Sequence, residues 1–396
     1  MSDHLLQWFE TLIRWFHITA GAAWIGTSFY FNWLNNNLRP PEGDAEPEVG
    51  SELWAVHGGG FYRVLKYKVA PARLPGTLHW FKWEAYFTWI SGVVLLSLVY
   101  FLGASVYLLD PAKAALSPAA GVGVGVGVLV VGWLVYDLLC KSPLGRQKVA
   151  LAALGFALFT GLAFGLCQVF SSRGAYILVG ALIGTIMAGN VFFGIIPAQR
   201  EMVDAMTAGR DPDPAKGKSA ALRSLHNNYF TLPVLFIMIS NHYPHTYGHA
   251  WDWAILAALA LISASVRHWF NLRGRGEKNV WILPVATVAM VALALVSAPK
   301  SAATAAASEP VTFARVQNIV QTRCAPCHAD HPTFEGTTSA PKDVRLDTAE
   351  RIQAAAAQIK AKAVTTQYMP LANLTKMTAE ERAVLGRWVD DGAKLE

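Results

Sequence analysis

The segment Cys324-Ala-Pro-Cys327-His328 holds the most legible chemistry in the chain. A C-x-x-C-H run is the signature of covalent c-type heme attachment. Two thiols at that spacing reach the two vinyl groups on one edge of a porphyrin, and the adjoining histidine swings beneath the ring to bind iron. A chance match and a redox cysteine pair are the competing readings. Both fit poorly with a motif that closes an amphipathic helix (Phe313, Val316, Ile319, Val320) in a small, soluble-looking domain. The opposite axial ligand is expected to be a softer donor further along. Met369, within Tyr368-Met369-Pro370, is the candidate, and Met377 at the threshold of the last helix is its rival. His331 is too close to His328 to reach the other face. A His/Met pair raises the heme potential, which suits the domain to accept electrons.

The other residues able to do chemistry stand in or beside long apolar runs, where ionisable groups are costly and mark functional candidates. Arg14 and His17 lie one turn apart on the first run. Glu84 opens the second, beside His79, Trp80 and Lys82. His226-Asn227-Asn228-Tyr229 opens the sixth, and Arg267 and His268 close the seventh. His242, His245 and His249, with Asn241 and Tyr243, form a further group. Bland readings compete: terminal His, Lys and Arg anchor helices by snorkelling, and Trp80, Trp83 and Trp89 fit an aromatic belt. The last histidines could bind metal, pack against the C-terminal domain or be wet loop residues. His57-Gly58-Gly59-Gly60-Phe61-Tyr62-Arg63 lacks a Walker ending, but a glycine turn near Arg63 could approach a flat anion closely.

These residues need helices to position them. Of the 396 residues, 53% are hydrophobic and 15% charged, and mean hydropathy is +0.32, too apolar for an ordinary soluble protein. Eight stretches reach or approach the roughly 20 apolar residues of a membrane span: about 5–34, 85–109, 119–139, 149–170, 175–197, 229–240, 251–271 and 281–298. The sixth needs residues 224–228 to complete it. Gly121 to Gly127 alternates Gly and Val, which in lipid allows close helix packing. Eighteen Lys and Arg lie in the odd-numbered loops against three in the even-numbered ones. That asymmetry places the odd loops in the cytoplasm and both termini outside, and it accounts for the net charge of +6 without nucleic acid. No cleavable signal is apparent at the N-terminus. Cys140 and Cys167 read as small packing residues. The expected organisation is all-α: an eight-helix transmembrane bundle over residues 1–298, a flexible Ala/Ser-rich tether over 299–309, and a small class I-like c-type cytochrome domain over 310–396. The last helix carries a capping box at Thr378 and Glu381.

Together the residues resemble the membrane-bound urate hydroxylase family, also called the urate oxidase N-terminal domain family. The resemblance covers nearly the whole chain. It rests on His17-Ile-Thr-Ala-Gly21-Ala-Ala-Trp24-Ile-Gly26 with Phe29-Tyr-Phe-Asn32, on Arg223-Ser-Leu-His226-Asn-Asn-Tyr-Phe-Thr-Leu-Pro233 running on to Ile239-Ser-Asn-His242-Tyr-Pro244, and on the C-x-x-C-H domain. It implies oxidation of urate to 5-hydroxyisourate, with oxygen from water and electrons passed through one covalent heme c to a downstream respiratory cytochrome or terminal oxidase. A bacterial inner membrane, with the cytochrome domain periplasmic, is the implied setting. A planar urate anion would want a cation (Arg63 or Arg223), amides (Asn227, Asn228) and a stacking ring (Tyr229, Trp80). His226, His79 and Glu84 are candidate bases. Oxidation at the cytoplasmic face would leave electrons about 30 Å of hydrocarbon to cross. Either the site lies towards the outside, or the bundle holds a heme b, for which His17, His79, His226, His242, His245 and His268 are candidate ligands. Rival readings are a quinol-oxidising heme module reducing its fused cytochrome c, and a transporter or channel with a redox sensor attached.

Overall fold

A computed structural model describes residues 2–43, 46–298, 311–334, 337 and 339–395; the expected tether, 299–309, lies outside them. Among the described residues the chain is mostly helical, with one two-stranded hairpin. Its first helix, α1 (Ser2–Asn37), is followed by strands β1 (Val49–His57) and β2 (Gly60–Tyr67). They pair antiparallel, with His57 opposite Gly60. Gly58 and Gly59 both take positive φ, 59° and 81°, the conformation a two-residue primed turn demands. The hairpin departs from the all-α expectation and turns the Gly-rich loop into a strand-to-strand connection.

The apolar helices follow. α2 (Trp83–Leu95) continues through π-helical turns at Leu96–Phe101 and Ala104–Leu108. α3 (Pro118–Lys141) starts sharply because Ser117 accepts from the Ala120 N–H and Pro118 sits at its first position. α4 (Lys148–Val169) comes next. α5 (Ser172–Gly189) runs through a π-helical turn, Asn190–Ile195, into α6 (Ile196–Thr207), so Pro197 does not end the fifth span. α7 (Pro214–Ser240) is capped by Asp213 and passes through Pro233. It is far longer than the apolar core legible in the sequence, because its first half is polar. α8 (Asp252–Gly274) and α9 (Ile282–Val296) complete this part.

Five stretches are long and apolar enough to cross a membrane: Trp83–Phe101, Pro118–Lys141, Lys148–Val169, Ser172–Thr207 and Asp252–Gly274. α1 and α7 have the length, 36 and 27 residues, but their polar side chains set them apart. α9 is apolar and only 15 residues long. The α5–α6 stretch is the most buried of the five and the axis of the packing: Tyr176, Leu178, Val179 and Met187 are all in the core against α3, α4 and α7. Small residues set the spacing. A Cβ on Gly180 would stand 2.5 Å from Ile237 Cγ2, and one on Gly125 3.2 Å from Leu178, whereas Gly123 faces nothing within 4 Å. The glycine run therefore serves packing on one side only.

The C-terminal part is a separate small helical unit. Here α10 (Phe313–Arg323), α11 (Ala349–Ala354), α12 (Ala356–Ile359) and α13 (Ala379–Asp390) enclose Val316, Val320, Ile352, Leu385 and Trp388. Arg323 pairs with Glu381 at 3.0 Å, tying the first of these helices to the last. The Thr378–Glu381 capping box forms as expected.

Valine at Gly180 would overlap Ile237, so G180V should destabilise the protein by about 1–3 kcal/mol, read as a lower thermal midpoint in detergent. Valine at Gly123 should leave that midpoint unchanged.

Candidate functional site

The middle of α7, around Arg223 and Asn227, is buried against its neighbours through a continuous lattice. Arg223 donates through Nη1 to Asn190 Oδ1 (2.9 Å) and through Nη2 to Asp137 Oδ1 (2.6 Å). Asp137 also holds Lys141 at 2.6 Å. Asn190 Nδ2 donates to Tyr136 Oη and to Asn227 Oδ1, both at 2.9 Å, and Asn227 Nδ2 donates to the Met187 carbonyl at 3.0 Å. His226 Nδ1 lies 2.7 Å from Tyr136 Oη. The sequence-predicted Arg223, His226 and Asn227 thus come together, joined by Tyr136, Asp137 and Asn190, which were missed. Asp137 carried a usable signal, an acid inside the third apolar run. Asn190 carried none; it begins the π-helical turn, a distortion frequent at functional sites.

The opposite face of α7 meets α8 and α1 around a cleft of about 280 Å³ lined by Phe29, Trp33, Leu232, Arg267, Phe270 and Asn271, with Asn36 and Gly274 at its end. Asn228 is fully buried; its Oδ1 accepts from Asn271 Nδ2 at 2.9 Å, while its own Nδ2 has no partner among the described residues. Arg267 is 8% exposed, and its Nε is likewise unpartnered. Its guanidinium carbon sits 4.3 Å from the centre of the Phe29 ring. One residue on from Asn228 and Arg267, Tyr229 and His268 form a stacked pair with Oη and Nδ1 2.6 Å apart.

Other expected site residues lie elsewhere. Arg63 Nε donates to Glu52 Oε2 at 2.8 Å and packs on Trp54; that bond holds the Glu52 carboxyl below its ordinary range. Its cation is therefore engaged within the hairpin. Trp80 packs in a small apolar cluster with Ala85, Val191 and Ile196, and His79 stands edge-on to Phe81 at 4.5 Å. Glu84, half-buried in the first turn of α2, makes no side-chain hydrogen bond or ion pair among the described residues. His242 and His245 are exposed at the far end of α7, and among the described residues no three His, Cys, Asp or Glu side chains converge to hold a metal ion.

His17 is oriented as a metal ligand would be. Its Nδ1 lies 3.0 Å from the Thr88 carbonyl, which can only accept, so the proton is on Nδ1 and Nε2 keeps its lone pair. Among the described residues, however, no two of the six candidate histidines are in ring contact or hydrogen-bonded to each other. His226 and His268 likewise hold Nδ1 against a phenol, Tyr136 and Tyr229.

The C-terminal unit does fit its group. His328 Nδ1 lies 2.9 Å from the Val344 carbonyl, again fixing the proton on Nδ1 and leaving Nε2 for iron. Burial pushes the Cys324 thiol up to about 12 and raises Cys327 as well, opposite to the depressed thiols of redox C-x-x-C pairs. Buried Arg382 donates to the Met369 carbonyl at 2.7 Å, fixing that segment, and Met369 stays partly open while Met377 is 3% exposed within the core. Met369 therefore has the more open side chain of the two candidate methionines. At the bundle end opposite the cleft, Arg173 Nε donates to Tyr100 Oη and Asn241 Oδ1, both at 3.2 Å.

The family model described as urate oxidase N-terminal matches residues 3–298, the whole of the helical bundle. No curated protein and no solved structure matches the chain.

Neutralising Asp137 would leave Arg223 as a buried cation held only by Asn190. D137A should therefore lower stability by about 3–5 kcal/mol, and the double variant D137L/R223M should recover much of the loss in thermal melts of the detergent-solubilised protein.

Proposed function

We propose that this chain, which belongs to the urate oxidase N-terminal family, is a membrane-bound oxidoreductase that converts urate to 5-hydroxyisourate and delivers the electrons to its own C-terminal c-type cytochrome. The observation that carries the reading is the His328 imidazole, with Nδ1 committed to the Val344 carbonyl and Nε2 open beside Cys324 and Cys327, on a chain whose first three quarters match the urate family. A built-in electron acceptor removes the need for oxygen as oxidant. Water adds at C5 of urate while two electrons and two protons leave, so the new oxygen comes from water.

Heme c, when bound at Cys324, Cys327, His328 and Met369, supplies one-electron acceptance at a raised potential. The bundle's own residues handle the substrate and its protons. Two phenol–imidazole couples are placed for this, Tyr136 with His226 at 2.7 Å and Tyr229 with His268 at 2.6 Å. At those separations a proton taken at a ring nitrogen is shared with the phenol oxygen, which suits general-base work. Asn227 and Asn190 hold Tyr136 in place, and Arg223 supports them without facing the substrate, because Asp137 neutralises it.

The topology fits the same reading. On this reading α1, α2, α3, α4, α5–α6, α7, α8 and α9 make eight alternating crossings, which would leave the basic loops in the cytoplasm and the cytochrome unit in the periplasm. The electrons then pass on to a respiratory cytochrome or terminal oxidase.

An anaerobic visible spectrum of the purified protein before and after urate tests this directly. Urate should raise a reduced c-type α-band in the wild-type protein, and C324A/C327A should lose both that band and heme staining on a denaturing gel. Reduction by a quinol with no response to urate would sink the proposal in favour of a quinol-oxidising module.

A further inference from the structure

Arg267 is unlike the other buried arginines. Arg223 has Asp137 and Asn190, and Arg382 has the Ala363 and Met369 carbonyls. Arg267 has no ion pair and no hydrogen bond among the described residues, although it is 8% exposed and lies within an apolar helix. Its Nε is buried with no acceptor, a costly arrangement for a cation within a membrane helix. The nearby amide of Asn228, 0% exposed, leaves two further donor hydrogens unused. Arg267 lines a cleft, so an acceptor from outside the chain can reach its unsatisfied donor.

The cleft defines what that acceptor looks like. Its volume, about 280 Å³, is just under the roughly 300–1,000 Å³ usual for small-molecule sites, so it takes one compact ligand. Phe29, Trp33 and Phe270 line it with flat apolar surface, and Arg267 and Asn271 are its central polar groups. Flat walls with a cation and amides at one edge select a planar anion carrying ring carbonyls and N–H groups. A hydrated inorganic ion would find too few polar partners there.

We propose that the cleft between α1, α7 and α8 is the urate-binding site, with Arg267 and Asn271 reading the polar edge of the purine, Asn228 holding the Asn271 amide from behind, and Phe29 and Trp33 covering the purine faces. This assignment rests on the urate reading above and gives it a location. The guanidinium takes the anionic edge in a charge-assisted pair, and the Tyr229–His268 couple, one residue along both helices, stands beside the cleft to receive a proton. The family motif residues Phe29, Asn228 and Tyr229 acquire a common purpose, while Arg267 and Asn271 enter the site from outside the motifs.

Isothermal titration of urate into full-length protein held reduced by dithionite tests the site without turnover. Wild-type protein should bind urate. R267Q should bind roughly 10- to 100-fold more weakly, the loss of one charge-assisted pair, with R267K between the two. F29L, which keeps the cation, should also weaken binding. Without ligand, R267Q should melt no lower than wild type, because it removes an unpaired buried charge. Wild-type affinity in R267Q, or in both R267K and F29L if R267Q fails to fold, overturns the assignment. So does tightly bound phospholipid that is present in wild type and lost in R267Q with urate affinity unchanged, which would make the cleft a headgroup site. If urate reduces the heme of R267Q with an unchanged KM, the cleft assignment falls while urate oxidation stands. If urate binds the cleft yet never reduces the wild-type heme, the oxidase reading falls and the site stands.

Discussion

Arg223 is the residue around which the bundle closes. α7 carries a run of charge and amide into an apolar interior, and that is tolerable only when each group finds a partner. Asp137 on α3 and Asn190 at the end of α5 supply two of them, so one guanidinium fixes the rotation of three helices about their axes. With that rotation set, Asn227 must face the Met187 carbonyl and Asn228 must face Asn271 on α8. The π-helical turn at Asn190 belongs to the same arrangement, since it lets a single amide serve Tyr136, Asn227 and Arg223 at once.

Two arginines show how saturation separates support from recognition. Arg223 is fully engaged inside the protein and holds helices together. Arg267, on a neighbouring helix and equally buried, has nothing but the Phe29 ring beneath it. The chain thus keeps a cation with a buried, unpartnered Nε at one end of the bundle. At the opposite end Arg173 donates to Tyr100 and Asn241. Arg267 stands fifteen residues along α8 from Asp252, about 22 Å at 1.5 Å per residue. The cleft and the Arg173 cluster are therefore separated along the helices.

The hairpin shows how a single contact reassigns a residue. Arg63 in a Gly-rich, aromatic loop looks like an anion ligand. Glu52, eleven residues earlier, becomes its partner once the Gly58–Gly59 turn folds β1 onto β2. No spacing rule links Glu52 to Arg63 until the strand register is known.

The sequence by itself determined the chemistry that is local. C-x-x-C-H is a covalent spacing within one turn of chain, the capping box at Thr378 is four residues long, and an apolar run declares its own length and composition. It also marked α7 as the polar helix, from His226-Asn227-Asn228-Tyr229. Which groups face each other was decided only in three dimensions. α3 and α4 are apolar all round, so hydrophobic periodicity assigns them no inward face; their rotation comes from close contacts such as Gly125 against Leu178. Those contacts bring Tyr136 and Asp137 to Arg223 and leave Arg267 without a hydrogen bond or ion pair among the described residues. A missing partner is a property of the packed neighbourhood, and one residue's place in the chain cannot reveal it.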